Sequence, residues 1–383
     1  MERSFFVIFE DLMDPRSEKG RKYRLIDVII LSIYGTLCGF NDFSNMAYYL
    51  KKRETELIEK LDIETGVPSH DVFSDVFRAL NINQFMERFV EWVKQVTYEK
   101  TGNHIAIDGK AVRAAADKAS KGNIPYVISA FMCENGLSIG QKQIEEKTNE
   151  ITQIPDLLDL IDVKDNTITI DAIGTQKAIM KKITEKGGHY CLQLKKNHPE
   201  VLSEVSLYFD YLLKNKGSSL ESYEEKTNCH GRKERRTYYT VSDEAEIRDV
   251  LPKDWATASC LGMAVLERRI GENVSCETHF HVMDIPRTAE EYARFARNHW
   301  QIENGLHWIL DIHFGEDRST AREENAIANL TLLRKIAFNL IKLMPEESKK
   351  STKKKIVDFM MDVDLFKKLI YETLPSAKLS ELK

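Results

Sequence analysis

Residues 104–112 read HIAIDGKAV, and residues 166–176 read NTITIDAIGTQ. Each is a short, isoleucine-bearing run of β character, and each ends on an acid, Asp108 and Asp171. Between them, YVISAFMCENG and LSIGQKQI are two further strand-like runs, joined at Glu134-Asn135-Gly136, a strong hairpin signal. Ile154 to Ile161 has helical spacing, as does Gln176 to Glu185, and HYCLQLKKN follows as another strand. Three strands, helix, strand, helix, strand describe a mixed α/β sheet with its acids where strands give way to loops. That is a favoured place for sites on open sheets of this class.

Outward toward the N-terminus the pattern is helical throughout. Leu25 to Phe40 reads as a buried helix. Phe43 to Leu61 reads as an amphipathic pair, and Phe85 to Val96 as another helix. Ser69 is a good N-cap for HDVFSDVFRAL. Residues 1–100 are therefore expected to be an all-helical N-terminal domain. Its segment RSEKGRKYR would suit DNA binding through a helix-turn-helix-like element, and the helices would equally suit dimerisation or packing. Residues 101–345 are expected to be the α/β domain, interrupted at about 218–285 by a β-rich insertion that carries the basic run HGRKERR. Residues 346–383 form a basic, then amphipathic, tail.

After the insertion, RFARNHWQIENGLHWILDIHFGED (Arg294 to Asp317) reads as one long helix begun at Thr288. Trp300, Ile302, Leu306, Ile309 and Leu310 leave little of its circumference polar, which predicts burial. His299, Glu303 and His307 would then stack one above another on one face. A structural Glu–His pair in a helical core accounts for them as well as a functional carboxylate does. Asp favours the turns that follow strands, so neither Asp108 nor Asp171 is informative alone. Together, on near-identical runs and with Glu303 returning on a helix, they suggest a carboxylate cluster that needs cations. Hard oxygen donors suit Mg²⁺, with Mn²⁺ as a substitute, and two such ions about 4 Å apart serve phosphodiester chemistry.

These residues also carry a resemblance. IAIDGKAVR, TIDAIGTQ, LKKNHP, HGRKERR and RNHWQIENGLHWILDIHFGED, in that order, resemble the H-repeat-associated family of bacterial insertion-sequence transposases. DPRSEKGRKYRLIDVIILSIYGTLCGFNDFSNMAYYL and GVPSHDVFSDVF resemble that family's helical leader. The resemblance implies an RNase H-like fold with a DDE triad, here Asp108, Asp171 and Glu303, which would also be the metal ligands. It implies DNA transposition acting on terminal inverted repeats and target DNA. The chain departs from the Tyr–Arg–Glu–Lys signature of many related enzymes, with His299 four residues before Glu303 and Leu310 seven after it. Arg294, Arg297, His299 and His307 are candidates for the work those signature residues do. Lys110, Lys195, Lys196 and Arg232 are candidates for phosphate contacts, and each would serve equally as a surface cation. Thr175 and Gln176 would orient substrate or, more simply, cap the next helix.

The bulk properties set outer bounds. At 383 residues the chain is long enough for two or three domains or one large domain with insertions, and its 42% hydrophobic and 30% charged residues are ordinary for a globular protein. The net charge of −5 conceals basic clusters at RSEKGRKYR and KKSTKKK, as expected of contact with nucleic acid at defined places. Six scattered cysteines without a CxxC pair argue against a disulfide framework or zinc ribbon and for a reducing compartment. LIDVIILSIYGTLCGF contains Asp27 and is shorter than the ~20 residues a membrane span needs, so no membrane partner is expected. A cytoplasmic, nucleoid-associated protein follows, with a homodimer expected for bringing two DNA ends together.

Overall fold

The computed structural model describes residues 3–19, 21–97, 102–112, 124–144, 150–215, 217–229, 231–319, 321–344 and 350–372. His230 of the basic HGRKERR run, Lys349 of KKSTKKK and the last residues of the tail lie outside them. The chain forms two compact units, neither continuous in sequence. Met1–Lys100, Gly109–Asn149 and Glu303–Lys383 make one, and Thr101–Asp108 with Glu150–Ile302 make the other. This grouping differs from the tandem domains expected above, because residues 1–100 share a unit with the hairpin and with the C-terminal helices.

The second unit is built on a sheet. It comprises β1 (His104–Ala111, of which residues 104–108 belong here), β4 (Thr167–Ile170), β5 (His189–Leu194), β6 (Glu221–Cys229), β7 (Arg232–Val241), β8 (Cys260–Ile270) and β9 (Asn273–Met283). The order is β1-β4-β5-β9-β8-β7-β6. β1, β4 and β5 run parallel, and β9 joins β5 antiparallel with Cys191 opposite Met283 and Leu194 opposite Phe280. The β-rich insertion therefore extends the main sheet. Helices α7 (Glu150–Leu160), α8 (Lys177–Glu185), α9 (Pro199–Asn215), α10 (Glu244–Val250) and α11 (Ala289–Asn298) complete this unit. Thr288 starts α11 with a capping box, in which its hydroxyl accepts from the Glu291 N–H while the Glu291 carboxylate accepts from the Thr288 N–H. One side of α11 buries Tyr292, Ala293 and Phe295 against Tyr238, Cys191, Cys260 and Met283.

The first unit is organised by α13 (Glu324–Lys342), which is buried along nearly its whole length. Around it stand α1 (Phe5–Glu10), α2 (Leu25–Leu37), α3 (Phe43–Lys52), α4 (Glu54–Leu61), α5 (His70–Ala79) and α6 (Ile82–Val96). The hairpin of β2 (Tyr126–Met132) and β3 (Leu137–Ile144) belongs here, with Gly136 at φ 66° in its turn. So do α14 (Thr352–Met361) and α15 (Val363–Tyr371), the described part of the tail. A helix buried on all sides must satisfy its polar residues internally. Asn339 does so by accepting from the Ser138 N–H and donating to its carbonyl, and the Lys335 ammonium donates to Ser129 Oγ and Gln141 Oε1. Every residue of α2 is buried, and its Asp27 is paired with Arg24 at 2.8 Å. Among the described residues no helix is long and apolar enough to cross a membrane.

The long helix expected from Thr288 to Asp317 does not form as one element. α11 ends at Asn298, a turn follows, Ile302–His307 is a π-helical turn, and α12 (Trp308–Ile312) completes the run. Ile302, Leu306, Ile309 and Leu310 are buried as expected, but Trp300 is 56% exposed and Glu303 lies on the surface. Helical periodicity counts apolar residues without registering a change of helix type, and that is why the stacked His–Glu–His face was an incorrect expectation.

Candidate functional site

The two aspartates come together through strand register. β1 and β4 pair in parallel with Ile107 opposite Ile170, so Asp108 and Asp171, the next residue of each strand run, stand at one level of the sheet. Because side chains alternate along a strand, His104, Ala106 and Asp108 share one face of β1, and Thr167, Thr169 and Asp171 share one face in β4 and its extension. Both acids are partly exposed.

Asp171 caps the 3-10 turn Ala172–Gly174 by accepting from the Ala172 N–H at 2.6 Å, and the Lys195 ammonium donates to it at 2.9 Å. Burial acts to raise the pKa of Asp171, but the Lys195 and Ala172 hydrogen bonds prevail and hold it below the ordinary carboxylate range. Beneath the acid, Thr169 Oγ1 lies 2.7 Å from His104 Nε2 and 2.9 Å from His299 Nδ1. Below that, Arg287 donates to the Thr167 hydroxyl at 3.1 Å. Burial pushes His299 down to about 4, against a smaller opposing pull from Asp171, so the imidazole is neutral at pH 7.

The remaining candidates stand in varied surroundings. Glu303 is the second residue of the π-helical turn, falls in the first unit and is exposed. Lys110 is one-seventh exposed and sits among carboxylates, bonded to Asp311 and to Glu316 at 2.8 Å, with Asp317 at 3.9 Å. That ion-pair cluster, not open solvent, is what its ammonium faces. His307 is buried, which pushes it down to about 3. Lys196 is exposed. Arg232 pairs with Glu234 at 2.5 Å, Arg297 with Glu225 at 2.8 Å, and Arg294 lies over the Phe295 ring. The Thr175 hydroxyl donates to the Gln193 carbonyl at 2.7 Å, tying the loop to β5 and leaving α8 uncapped by it. Sequence reading passed over His104, Thr169 and the Asp311–Glu316 carboxylates. The available signal was Thr at alternate positions of a strand whose every residue is buried.

Carboxylates on adjacent parallel strands are hard oxygen donors, and Asp171 already holds a cationic group, so the donor chemistry fits Mg²⁺ or Mn²⁺. Among the described residues no three His, Cys, Asp or Glu side chains are gathered as a ready-made ion site.

A mixed sheet with flanking helices, carrying Asp108 within β1 and Asp171 just after β4, agrees with the RNase H-like fold expected from the sequence. A family model described as "Transposase DDE domain" matches residues 99–340, and one described as "DDE_Tnp_1-associated" matches residues 6–93. The chain belongs to the DDE-domain transposase family. It is 33% identical to the transposase-named YncI of Escherichia coli O157:H7, over 86% of this chain and 85% of that one. It is 32% identical to the H repeat-associated, transposase-named YhhI of E. coli K12, over 86% and 87%. A protein from the dhlA 3′ region of Xanthobacter autotrophicus is 34% identical over 70% and 90%. Among solved structures, a piggyBac transposase synaptic complex with hairpin DNA aligns at TM-score 0.44 and 11% identity, covering 98% of this chain and 82% of that one.

Proposed function

We propose that this transposase cuts the ends of an insertion sequence and joins them to target DNA, with Asp108, Asp171 and Glu303 as its catalytic and metal-holding carboxylates. The observation that carries this reading is the β1–β4 register, which brings two acids to one level, Asp108 within β1 and Asp171 just past the end of β4. Mg²⁺, or Mn²⁺ in its place, would supply Lewis-acid activation of the attacking oxygen and charge stabilisation of the leaving one. The chain's own task is to fix the carboxylates and to position phosphates. Asp108 and Asp171 act jointly from the sheet, and Glu303 completes the set. Lys195, already on Asp171, and exposed Lys196 and Arg232 supply positive charge for the backbone of terminal inverted repeats and target DNA. Lys110, His299 and His307 have protein partners or enclosed rings, which assigns them to shaping the protein more than to contacting DNA, whereas Arg294 and Arg297 are exposed and, like Arg232, stay open to a phosphate. Catalysis is then mainly positioning and charge neutralisation. Two ends brought together imply a homodimer at work, in the cytoplasm and on the nucleoid.

The test is cleavage of a labelled duplex carrying the flanking element's end, with Mg²⁺, Mn²⁺ or EDTA. Wild type is compared with Glu303→Ala and Asp171→Asn. Metal-dependent cutting at the end, at least about a thousandfold weaker in both variants, is expected if these carboxylates hold the reacting groups. Binding of the end without cutting in any metal points instead to a DNA-binding protein that has lost the reaction. Cutting that never proceeds to joining points to a nuclease.

A further inference from the structure

The β4 strand carries threonine where a buried strand is better served by valine. Thr167 and Thr169 are 1% and 3% exposed, and burying a hydroxyl is unfavourable unless it is bonded. Thr169 is bonded twice. Its Oγ1 stands between His104 Nε2 of β1 at 2.7 Å and His299 Nδ1, at the end of α11, at 2.9 Å. A hydroxyl has one proton, so it donates to one imidazole and accepts from the other, and each histidine's tautomer is set by its neighbour. His104 is fully buried, with its ring edge-on to Phe295 of α11 at 5.4 Å between centroids. The three groups therefore fasten β1, β4 and the end of α11 at one point.

That point lies under the acids. Thr169 is two residues before Asp171 on the same strand face, and His104 is four residues before Asp108 on the same face of β1. His299 precedes Glu303 by four residues in the chain. We propose that the His104–Thr169–His299 linkage is a positioning device for the metal-holding carboxylates, with the Thr169 hydroxyl as its hub, an inference that rests on the function proposed above. No member of the linkage is required to touch DNA or the reacting atoms. Its effect is to hold β1 and β4 at the spacing their two acids need, and to fix the chain end that leads toward the third.

Thr169→Val removes the hydroxyl while keeping shape and β-branching, and Thr169→Ser keeps the hydroxyl. Mn²⁺ binding by electron paramagnetic resonance on the DNA-free full-length protein is measured beside the melting temperature and the kcat and KM of end cleavage. Val is expected to weaken Mn²⁺ binding roughly tenfold, the low end for outer-layer changes at metal sites, and to lower kcat with KM little changed. Ser is expected to remain near wild type. His299→Leu, which breaks the same linkage from its other end, is expected to match Val and replaces it if the Val variant does not fold. A Val or Leu variant that melts earlier but binds Mn²⁺ and turns over as wild type overturns the inference, leaving a purely structural hydrogen bond. If wild type itself binds no Mn²⁺ and cuts no DNA, the proposed function fails, and this inference with it.

Discussion

At the scale of single residues, Lys195 decides the resting charge of the site. Its ammonium lies on Asp171, where the proposed divalent ion would bind, so the two would compete. Lys195→Gln is therefore expected to bind Mn²⁺ several-fold more tightly without DNA, since one competing cation is gone. The same variant is expected to bind element-end DNA more weakly, with the logarithmic salt slope reduced by about one. Magnetic resonance titration and fluorescence anisotropy check the two halves, and weaker metal binding in the variant would refute the competition. Which residues were legible follows from how far each depends on its neighbours in space. Asp108 and Asp171 announced themselves through the paired IAID and ITID runs, because parallel strands of like pattern tend to adjoin. The surroundings of Lys110 did not, because Asp311 and Glu316 lie some two hundred positions away in sequence.

At the scale of elements, the helical leader and the sheet-forming runs were readable from period and turn chemistry, the Glu134-Asn135-Gly136 turn being the clearest case. Helix α13 shows what period alone leaves out. Its Asn329 donates to the Phe77 and Leu80 carbonyls at 2.9 and 2.8 Å, and Asn325 reaches Arg78 and Leu80, so side chains of one helix close the C-terminal end of α5. Asn329→Leu would leave those buried carbonyls short of donors, at a cost of about 1–3 kcal/mol. A urea melt should show that loss as a lower midpoint with an unchanged slope, and an unchanged midpoint would mean that water or Asn325 takes over the task. The basic run at Lys353 to Lys355, part of the tail expected to be basic and then amphipathic, lies in the first turn of α14, whose Ile356 and Phe359 are buried. A charge run reveals the solvated side of a helix and conceals the buried one.

At the scale of the whole molecule, the sequence reads as tandem domains, whereas the units are interleaved, with the chain passing between them at residues 100, 108, 149 and 302. Composition shifts mark changes of secondary structure, and contacts decide units. Both units hold histidines that are buried and neutral. Burial pushes His281 down to about 3 and His307 likewise, while His104 lies well below its ordinary value. Above about pH 6.5 neither the folded nor the unfolded chain is protonated at these rings, so stability is full. As pH falls below that value the unfolded chain takes up protons that the folded chain refuses until about 3, and stability declines by roughly 1.4 kcal/mol per pH unit for each ring. The melting temperature should therefore drop by several degrees between pH 7.5 and 5.5. His281→Gln, Gln having no proton to gain, should flatten that dependence, and a flat wild-type profile would show that the rings are reached by solvent.

The π-helical turn at Ile302–His307 has a consequence for counting. A wider turn admits more residues than an α-turn, and each added residue shifts everything after it by about 100° around the axis. A signature defined by fixed intervals around the proposed catalytic Glu assumes one helical phase on both sides, and here the phase changes at that residue. A relative with an unbroken α-helix in this place would align with this chain only through a one-residue gap beside Glu303. A pattern that forbids the gap would align Glu303 and then assign its neighbours the wrong partners.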